Sequence, residues 1–151
     1  MNYNLTKEEQ REVFNNSEEA LLRGNKVKFD FNRNWSSNFP NRSGVYAVYE
    51  INELLYIGET ANLKERMKEI KRTYNHAFRK KLGEIRFNGI IEKQGKYSEK
   101  IESQMNEFYR EKLYISFIEV NFGRIEIESH LIEKYQDRIL NSESKRTKTT
   151  K

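Results

Sequence analysis

The chain has 151 residues, the length of one domain, and a formal net charge of +5 at neutral pH. Its content of 36% hydrophobic and 13% aromatic residues is sufficient for a packed core and argues against a disordered chain. It contains no cysteine, which excludes disulfides and thiolate metal sites, and no apolar run long enough to span a bilayer. Because the first residues also lack the basic-then-apolar order of a signal peptide, we expect a cytoplasmic protein without membrane contact.

Residues 1–42 are predicted to form an extension made of a helix, a strand-like segment and a loop. Thr6 and Glu9 have the spacing of a capping box, so we expect a helix over residues 3–23. Apolar and polar residues alternate over residues 27–31, as in a strand, and a loop with the only proline follows. We find no catalytic pattern in this section and expect it to provide structural cover or a partner contact.

The next segment is predicted to fold as a hairpin with strands over residues 44–49 and 54–58. An odd number of residues in the connecting turn would place Tyr46 directly opposite Tyr56, with both rings on one face of the sheet. An even number would place the two rings on opposite faces. Paired tyrosines in a hairpin more often pack against each other than catalyse, so this pair alone does not indicate a site.

A helix capped by Thr60 or Asn62 is predicted to follow the hairpin, and Asn62 with Glu65 resembles a capping box. Its apolar residues recur at spacings of four, three and four, which defines a buried stripe; they are Leu63, Met67, Ile70 and Tyr74. Arg66 lies beside this stripe rather than opposite it. We therefore expect its side chain to reach back toward the ends of the strands.

Residues 61–86 carry nine basic and three acidic side chains, a charge that attracts polyanions. The same pattern also occurs on ordinary solvated helices. A second helix is predicted over about residues 75–84, and His76 at its start either touches a phosphate or is a surface residue without a role. The basic residues assigned to nucleic-acid contact are Lys64, Lys68, Lys71, Arg72, Arg79, Lys80 and Lys81.

Residues 86–112 are predicted to be an insertion that consists of an irregular stretch and a helix over residues 98–112. Residues 113–121 are β-branched and aromatic, which favours a strand. A last helix is predicted over residues 124–139. The tail, residues 142–151, is basic and without apolar residues, and we expect it to be disordered.

Glu128 lies on the apolar face of the last predicted helix, together with Leu131, Ile132 and Tyr135. A carboxylate in that position must be paired, hydrogen-bonded or bound to a metal. A salt bridge with Arg66 is the structural alternative to a metal site.

The order of these features resembles the GIY-YIG nuclease superfamily. The residues that carry the resemblance are GVY at 44–46, YIG at 56–58, Arg66, Glu128 in its helix, and Asn141. The resemblance covers residues 44–141. It implies an α/β (α+β) fold in which a small three-stranded antiparallel sheet is flanked by helices, and so a nuclease-like domain over residues 43–141 that follows the N-terminal helical extension.

The resemblance also implies roles for single residues, and with them one bound Mg²⁺ or Mn²⁺. The matching positions are Tyr46 and Tyr56 for positioning or deprotonating water, Gly58 for close approach, Arg66 for the phosphate, Glu128 for the metal, and Asn141 for support. The chain departs from the pattern in three places: valine stands in the first tripeptide, Glu59 follows YIG where some relatives have lysine, and no proline precedes the closing asparagine.

These observations predict a metal-dependent endonuclease that hydrolyses DNA by attack of water. We assign Tyr56 as the general base, Tyr46 as its orienting partner and His76 as a supporting residue. Arginine suits bidentate binding of a phosphate, and one carboxylate with several waters suits Mg²⁺. Two alternatives stay open, a catalytically inactive nucleic-acid-binding module of the same fold and a nuclease that acts on RNA or branched DNA.

Overall fold

The structure, a computed structural model, describes residues 4–73 and 76–141. Within them it has five α-helices and one four-stranded sheet. The helices are α1 (Lys7–Arg23), α2 (Leu63–Glu69), α3 (Ala77–Arg86), α4 (Glu99–Lys112) and α5 (Arg124–Lys134). The strands are β1 (Val27–Lys28), β2 (Gly44–Glu50), β3 (Glu53–Thr60) and β4 (Leu113–Glu119), and short 3₁₀ turns occur at Trp35–Asn38 and Lys93–Gly95. No helix in these residues is long and apolar enough to cross a membrane.

The sheet has the order β1-β4-β2-β3, and all its pairs are antiparallel. The prediction of three strands is therefore wrong, because the N-terminal extension supplies the fourth. Val27 pairs with Ile115 along the otherwise free edge of β4, and the Phe29 amide donates to the Leu113 carbonyl at 3.0 Å. The strand-like pattern of residues 27–31 thus yields only two strand residues, yet it makes the extension part of the sheet.

The turn between β2 and β3 contains two residues, Ile51 and Asn52, and Ile51 adopts a left-handed φ of 58°. With uninterrupted pairing, this even count would place Tyr46 and Tyr56 on opposite faces of the sheet. A β-bulge prevents that outcome.

The bulge lies where the register shifts between Val48 and Tyr49, and Leu55 is the extra residue. Beyond it, Tyr56 pairs with Val48, while Tyr46 pairs with Gly58. Tyr46 and Val48 are two residues apart and share a face, so both tyrosine rings lie on the same face. Neither of the two outcomes derived from the turn length occurs, since the tyrosines share a face but lie two residue pairs apart along the strands.

The two faces of the sheet bury separate cores. One contains both tyrosines and is covered by α2, α3, α4 and the residues around Trp35. The other contains Val45, Ala47 and Ile57 and is covered by α1 and α5. The alternation of side chains along β2 therefore separates the face that bears Tyr46 from the face that packs against α1 and α5.

Several predicted helix ends are confirmed and others move. Thr6 and Glu9 form the capping box of α1, which begins at Lys7. The Asn62 side chain caps α2 by accepting from the Glu65 amide at 3.1 Å. The helix predicted over residues 124–139 ends at Lys134, because the chain then turns to bury Ile139 and Leu140. The predicted tail and Tyr74 lie outside the described residues.

Candidate active site

The Tyr46 ring lies across the backbone of Gly58, its cross-strand partner. A Cβ atom at Gly58 would stand 2.2 Å from Tyr46 Cζ, so only glycine leaves room for the ring. The ring centroids of Tyr46 and Tyr56 are 6.4 Å apart. The resemblance implies that Gly58 allows a close approach of another group, and in this fold that group is the Tyr46 ring.

His76 caps the N-terminus of α3 and holds the Tyr46 hydroxyl. Its Nδ1 accepts from the Phe78 amide at 3.0 Å, so the ring proton of the neutral imidazole lies on Nε2. Nε2 is 2.9 Å from Tyr46 Oη and donates to it. Burial, and secondly the Arg66 charge, lower the His76 pKa to about 3, so the ring is neutral. Of the two alternatives left open for His76, the surface residue without a role is excluded, because the side chain is fully buried.

Arg66 projects from α2 toward the same oxygen. Its guanidinium hydrogen-bonds to Tyr46, and its Nη1 also lies 3.4 Å from Glu69 Oε1. Burial raises the Tyr46 pKa far above its ordinary value, and the charge of Tyr56 adds to this, while Arg66 acts in the opposite direction. Tyr46 is therefore a neutral phenol whose oxygen faces two donors.

Tyr56 occupies the neighbouring position on β3 and packs against Phe78, with ring centroids 5.2 Å apart. Burial raises its pKa to about 12, and the charge of Glu128 adds to the effect, while Arg66 opposes it. Within the described residues its hydroxyl has no hydrogen-bond partner, unlike that of Tyr46. Of the two phenols, Tyr56 is the one whose oxygen is left for a ligand or a solvent molecule.

Glu128 is half-buried on α5 and adjoins this cluster. Burial, and secondly the charge of the Glu59 carboxylate, raise its pKa to about 7, although a hydrogen bond from the Glu59 backbone and the Arg66 charge act in the opposite direction. Glu59 itself is paired with Arg124, whose Nε lies 2.7 Å from its Oε2. Arg124 was not among the predicted site residues, and the signal for it in the sequence is the Glu59 carboxylate directly after YIG.

The donor set fits one hard divalent cation held mainly by water. No group of three His, Cys, Asp or Glu side chains that could hold a metal occurs in residues 4–73 and 76–141. Glu128 is nevertheless a carboxylate whose ionised form is disfavoured by burial, and a nearby cation would relieve that penalty. Mg²⁺ is commonly bound by one or two carboxylates and several waters. Glu128 is thus the candidate metal ligand.

Asn141 fastens the segment that carries Tyr56 and Gly58. Its Nδ2 donates to the Ile57 carbonyl at 2.6 Å, and its Oδ1 accepts from the Ile57 amide at 2.9 Å. Because β3 is an edge strand, these backbone groups have no partner strand on that side. The asparagine side chain thus forms the pair of hydrogen bonds that a neighbouring strand would form with Ile57.

No protein-family model matches the chain, and no curated protein matches it either. Among solved structures, the chain is similar to a mutant of EndoII from bacteriophage T4, with 14% sequence identity and a TM-score of 0.37. The similarity covers 83% of this chain and 94% of that chain. A likeness of this size establishes neither a shared fold nor a shared activity.

The basic residues predicted to contact nucleic acid differ in their exposure. Lys68, Arg72 and Lys80 are exposed, and Lys64 and Lys71 are partly buried. Lys81 Nζ donates to the Asn141 carbonyl at 2.9 Å, so this residue supports the site.

The prediction that Arg79 lies on an exposed nucleic-acid surface is wrong. The Arg79 side chain is 1% exposed and forms an ion pair of 2.8 Å with Glu102. The reason is the helix α4 of residues 86–112, which packs over α3 and covers this position. Spacing along α3 alone could not reveal that cover.

Proposed function

We propose that this chain is a divalent-metal-dependent endonuclease that hydrolyses phosphodiester bonds of DNA. The observation that carries the proposal is the convergence of Tyr46, Tyr56 and Arg66 with the half-buried Glu128. These residues lie on four separate elements, β2, β3, α2 and α5. They are the residues on which the resemblance to GIY-YIG nucleases rests.

In this proposal, Arg66 binds a non-bridging oxygen of the scissile phosphate and neutralises charge that develops during attack. The arginine is partly buried and adjoins both tyrosines, so its charge acts at short range. Lysine would not reproduce the two parallel N–H donors of the guanidinium.

The tyrosines have unequal parts. The oxygen of Tyr46 is held by His76 and Arg66, so Tyr46 sets the position of the arginine and of the neighbouring ring. Tyr56, whose hydroxyl has no partner in the described chain, orients the attacking water and, as the phenolate, accepts its proton. Burial raises the pKa of the Tyr56 phenol to about 12, so its own proton must first pass to solvent, a loss that the Arg66 charge favours and a bound cation would favour further.

Glu128 would hold the divalent ion, and a bound Mg²⁺ or Mn²⁺ would supply Lewis-acid stabilisation of the leaving 3′ oxygen. The Arg124–Glu59 pair keeps the second carboxylate of this region engaged. Glu128 is then the carboxylate available to a cation.

The proposal is tested by nicking of supercoiled plasmid with Mg²⁺, with Mn²⁺ and with EDTA. We expect metal-dependent nicking that falls at least a hundredfold in Glu128→Ala and in Arg66→Ala, as for loss of a main electrostatic group. Glu133→Ala, an exposed glutamate of the same helix, is the matched control and should nick normally. Circular dichroism verifies that each variant folds.

Two results would reject the proposal. The first is nicking that persists in Glu128→Ala. The second is a folded wild-type chain that leaves plasmid, branched DNA, single-stranded DNA and RNA intact in both metals. A chain that cleaves only RNA or branched DNA would keep the mechanism and change the substrate. A covalent phosphotyrosine on the cleaved strand would replace water attack with attack by the tyrosine.

A further inference from the structure

A cavity of about 800 Å³ lies outside the proposed active site, between the C-terminal end of α2 and helices α3 and α4. None of the four proposed catalytic residues lines it. The charged and polar side chains that line the cavity include Lys71, Arg72, Thr73, Arg79, Lys96 and Glu102. Its wall includes α4, which belongs to residues 86–112.

The back of the cavity is a preorganised guanidinium. Arg79 Nε donates to Thr73 Oγ1 at 3.1 Å, and Nη2 donates to Glu102 Oε1 and to Asn106 Oδ1, both at 2.8 Å. The Arg79 Cζ also lies 4.9 Å from the centroid of the Tyr109 ring. The guanidinium is therefore fixed in one orientation by groups from two segments, the chain after α2 and helix α4.

One nitrogen of this guanidinium, Nη1, forms no hydrogen bond within the described residues. In the described part of the chain, Nη1 of Arg79 is buried and has no hydrogen-bond partner, the single buried side-chain nitrogen or oxygen of which this is true. Buried donors are normally satisfied by protein, water or a ligand. An acceptor group that enters the cavity would complete the hydrogen bonds of this residue.

The charges around the cavity favour an anion. Lys71, Arg72 and Lys96 line it beside Arg79. The Lys71 Nζ lies 5.8 Å from the Trp35 ring centroid and 6.0 Å from that of Phe31, so it is held near the cavity.

One of the two carboxylates that line the cavity already has protein hydrogen-bond and ion-pair partners. Glu102 accepts from Thr73 Oγ1 at 2.6 Å and from the Tyr97 amide at 2.9 Å, in addition to pairing with Arg79. Glu99 is the second carboxylate of the lining. Four cations thus face two carboxylates, a local excess of two positive charges.

The position of the cavity relates it to the proposed active site. Arg66 lies in the last turn of α2, and Arg72 lies three residues beyond the end of that helix at Glu69, so the two cations are close along the chain. His76, which holds Tyr46, and Arg79 are one turn apart at the start of α3. A strand whose phosphate lies at Arg66 could therefore place a neighbouring phosphate at the cavity.

We propose that this cavity binds a backbone phosphate of the nucleic-acid strand, namely the phosphate that neighbours the scissile one. The identity of the strand rests on the proposed function. The shared chemistry is a phosphate group, and its alternative source is a free nucleotide or inorganic phosphate. Arg72 and Lys96 bind the phosphate, and Nη1 of Arg79 donates a hydrogen bond to it from the back of the cavity.

The test measures the affinity of a fluorescein-labelled single strand and of a duplex in EDTA, where no cleavage occurs, over a series of salt concentrations. Each lost phosphate contact lowers the slope of log affinity against log salt by about 0.7 for a single strand and about 0.9 for duplex DNA. We expect this reduction in the double variant Arg72→Ala/Lys96→Ala, and a reduction no larger than this in either single variant, because both side chains neutralise the same phosphate. Both residues are exposed, so neither substitution should impair folding.

The matched controls remove one positive charge each on the opposite side of the sheet. Lys7→Ala and Arg11→Ala lie on the exposed part of α1, which packs over the other core. They should keep the wild-type slope. Cavity variants whose slopes equal the wild-type slope would overturn the proposal.

A second arm separates the two sources of phosphate. Titration with adenosine monophosphate and with inorganic phosphate is followed by calorimetry on the wild type and the double variant. Saturable binding that is lost in the double variant, together with unchanged slopes for both nucleic acids, would assign the cavity to free phosphate compounds and reject the strand.

Plasmid nicking by the same proteins separates this proposal from the proposed nuclease activity. If the wild type nicks plasmid and the cavity variants keep the wild-type salt slope, the phosphate site is rejected and the nuclease proposal stands. A wild type that never nicks, but whose strand affinity depends on Arg72 and Lys96, rejects the nuclease and retains the phosphate site.

Discussion

Tyr46 owes its position to the one neighbour that lacks a side chain and to the two donors that surround its oxygen. Gly58 leaves the space in which the ring lies, and His76 and Arg66 hold the hydroxyl. Each of these residues lies on a different element. The position of one phenol therefore depends on contacts that are distant in sequence.

Gly58→Ala should displace the Tyr46 ring and lower the free energy of unfolding by about 1–3 kcal/mol, the range for overpacking of a core. Plasmid nicking should fall with it. In a Tyr46→Leu background the same substitution should cost less, because the clashing ring atoms are gone. Urea unfolding of the four proteins measures this coupling, and strict additivity of the two substitutions would contradict the contact.

His76 should make the fold sensitive to acid. Its pKa is about 3 in the folded state and near 6.5 when unfolded, so between these values the unfolded chain binds a proton that the folded chain does not. Stability is then lost as the pH falls below about 6.5, by about 2 kcal/mol at pH 5.

Urea unfolding at pH 7 and pH 5 tests this, with His76→Asn expected to lose that part of the pH dependence. The control is His130→Asn, which removes the only other histidine of the chain and should retain it. Equal pH dependence in wild type and His76→Asn would contradict the assignment of a buried neutral ring.

At the scale of the elements, the candidate site depends on irregularities in β3. The bulge at Leu55 turns Tyr56 onto the face of Tyr46 despite a two-residue turn. The Asn141 side chain pairs with Ile57 on the open edge of the strand, between the residues that bear the site. A regular, fully exposed edge strand would provide neither feature.

Asn141→Ala should release the Ile57 amide, raise its hydrogen-exchange rate and lower the free energy of unfolding by about 1–2 kcal/mol, because a buried polar pair is lost. Asn141→Asp keeps the acceptor for the Ile57 amide and should preserve more of its protection. Amide exchange followed by NMR measures both. Equal exchange at Ile57 in all three proteins would mean that the clamp does not act in solution.

At the scale of the whole molecule, the segments outside the region of resemblance or inserted into it are integral to the fold. The extension pairs β1 with β4, and Glu18 of α1 forms an ion pair of 2.8 Å with Lys134 of α5. Helix α4 is joined to α3 through the Arg79–Glu102 pair. Neither segment is a detachable addition to the sheet.

Arg79→Ala should therefore lower the free energy of unfolding by about 3–5 kcal/mol, as for a buried pair that loses one partner. The matched control is Arg23→Ala, which removes an exposed pair with Glu19 and should cost less than about 1 kcal/mol. Chemical unfolding of both variants measures the difference. Similar small losses would show that Arg79 is not buried in solution.

The local features of the chain were predictable because they depend on neighbours in sequence. The capping box of Thr6 and Glu9 and the buried stripe of Leu63, Met67 and Ile70 follow from spacing alone. So does the short list of side chains that make up the candidate site, since the tripeptides, Arg66, Glu128 and Asn141 are all visible in the sequence. Their grouping as a catalytic site remains a prediction.

Other features were decided only by tertiary contacts. The fourth strand depends on which sheet edge is free, and the shared face of Tyr46 and Tyr56 depends on a bulge that the turn length did not reveal. The burial of Arg79 depends on α4, and that of His76 on the packing of α3 against the sheet. Sequence periodicity reports which face of an element is apolar, but burial of a charged or polar residue depends on which other element arrives to cover it.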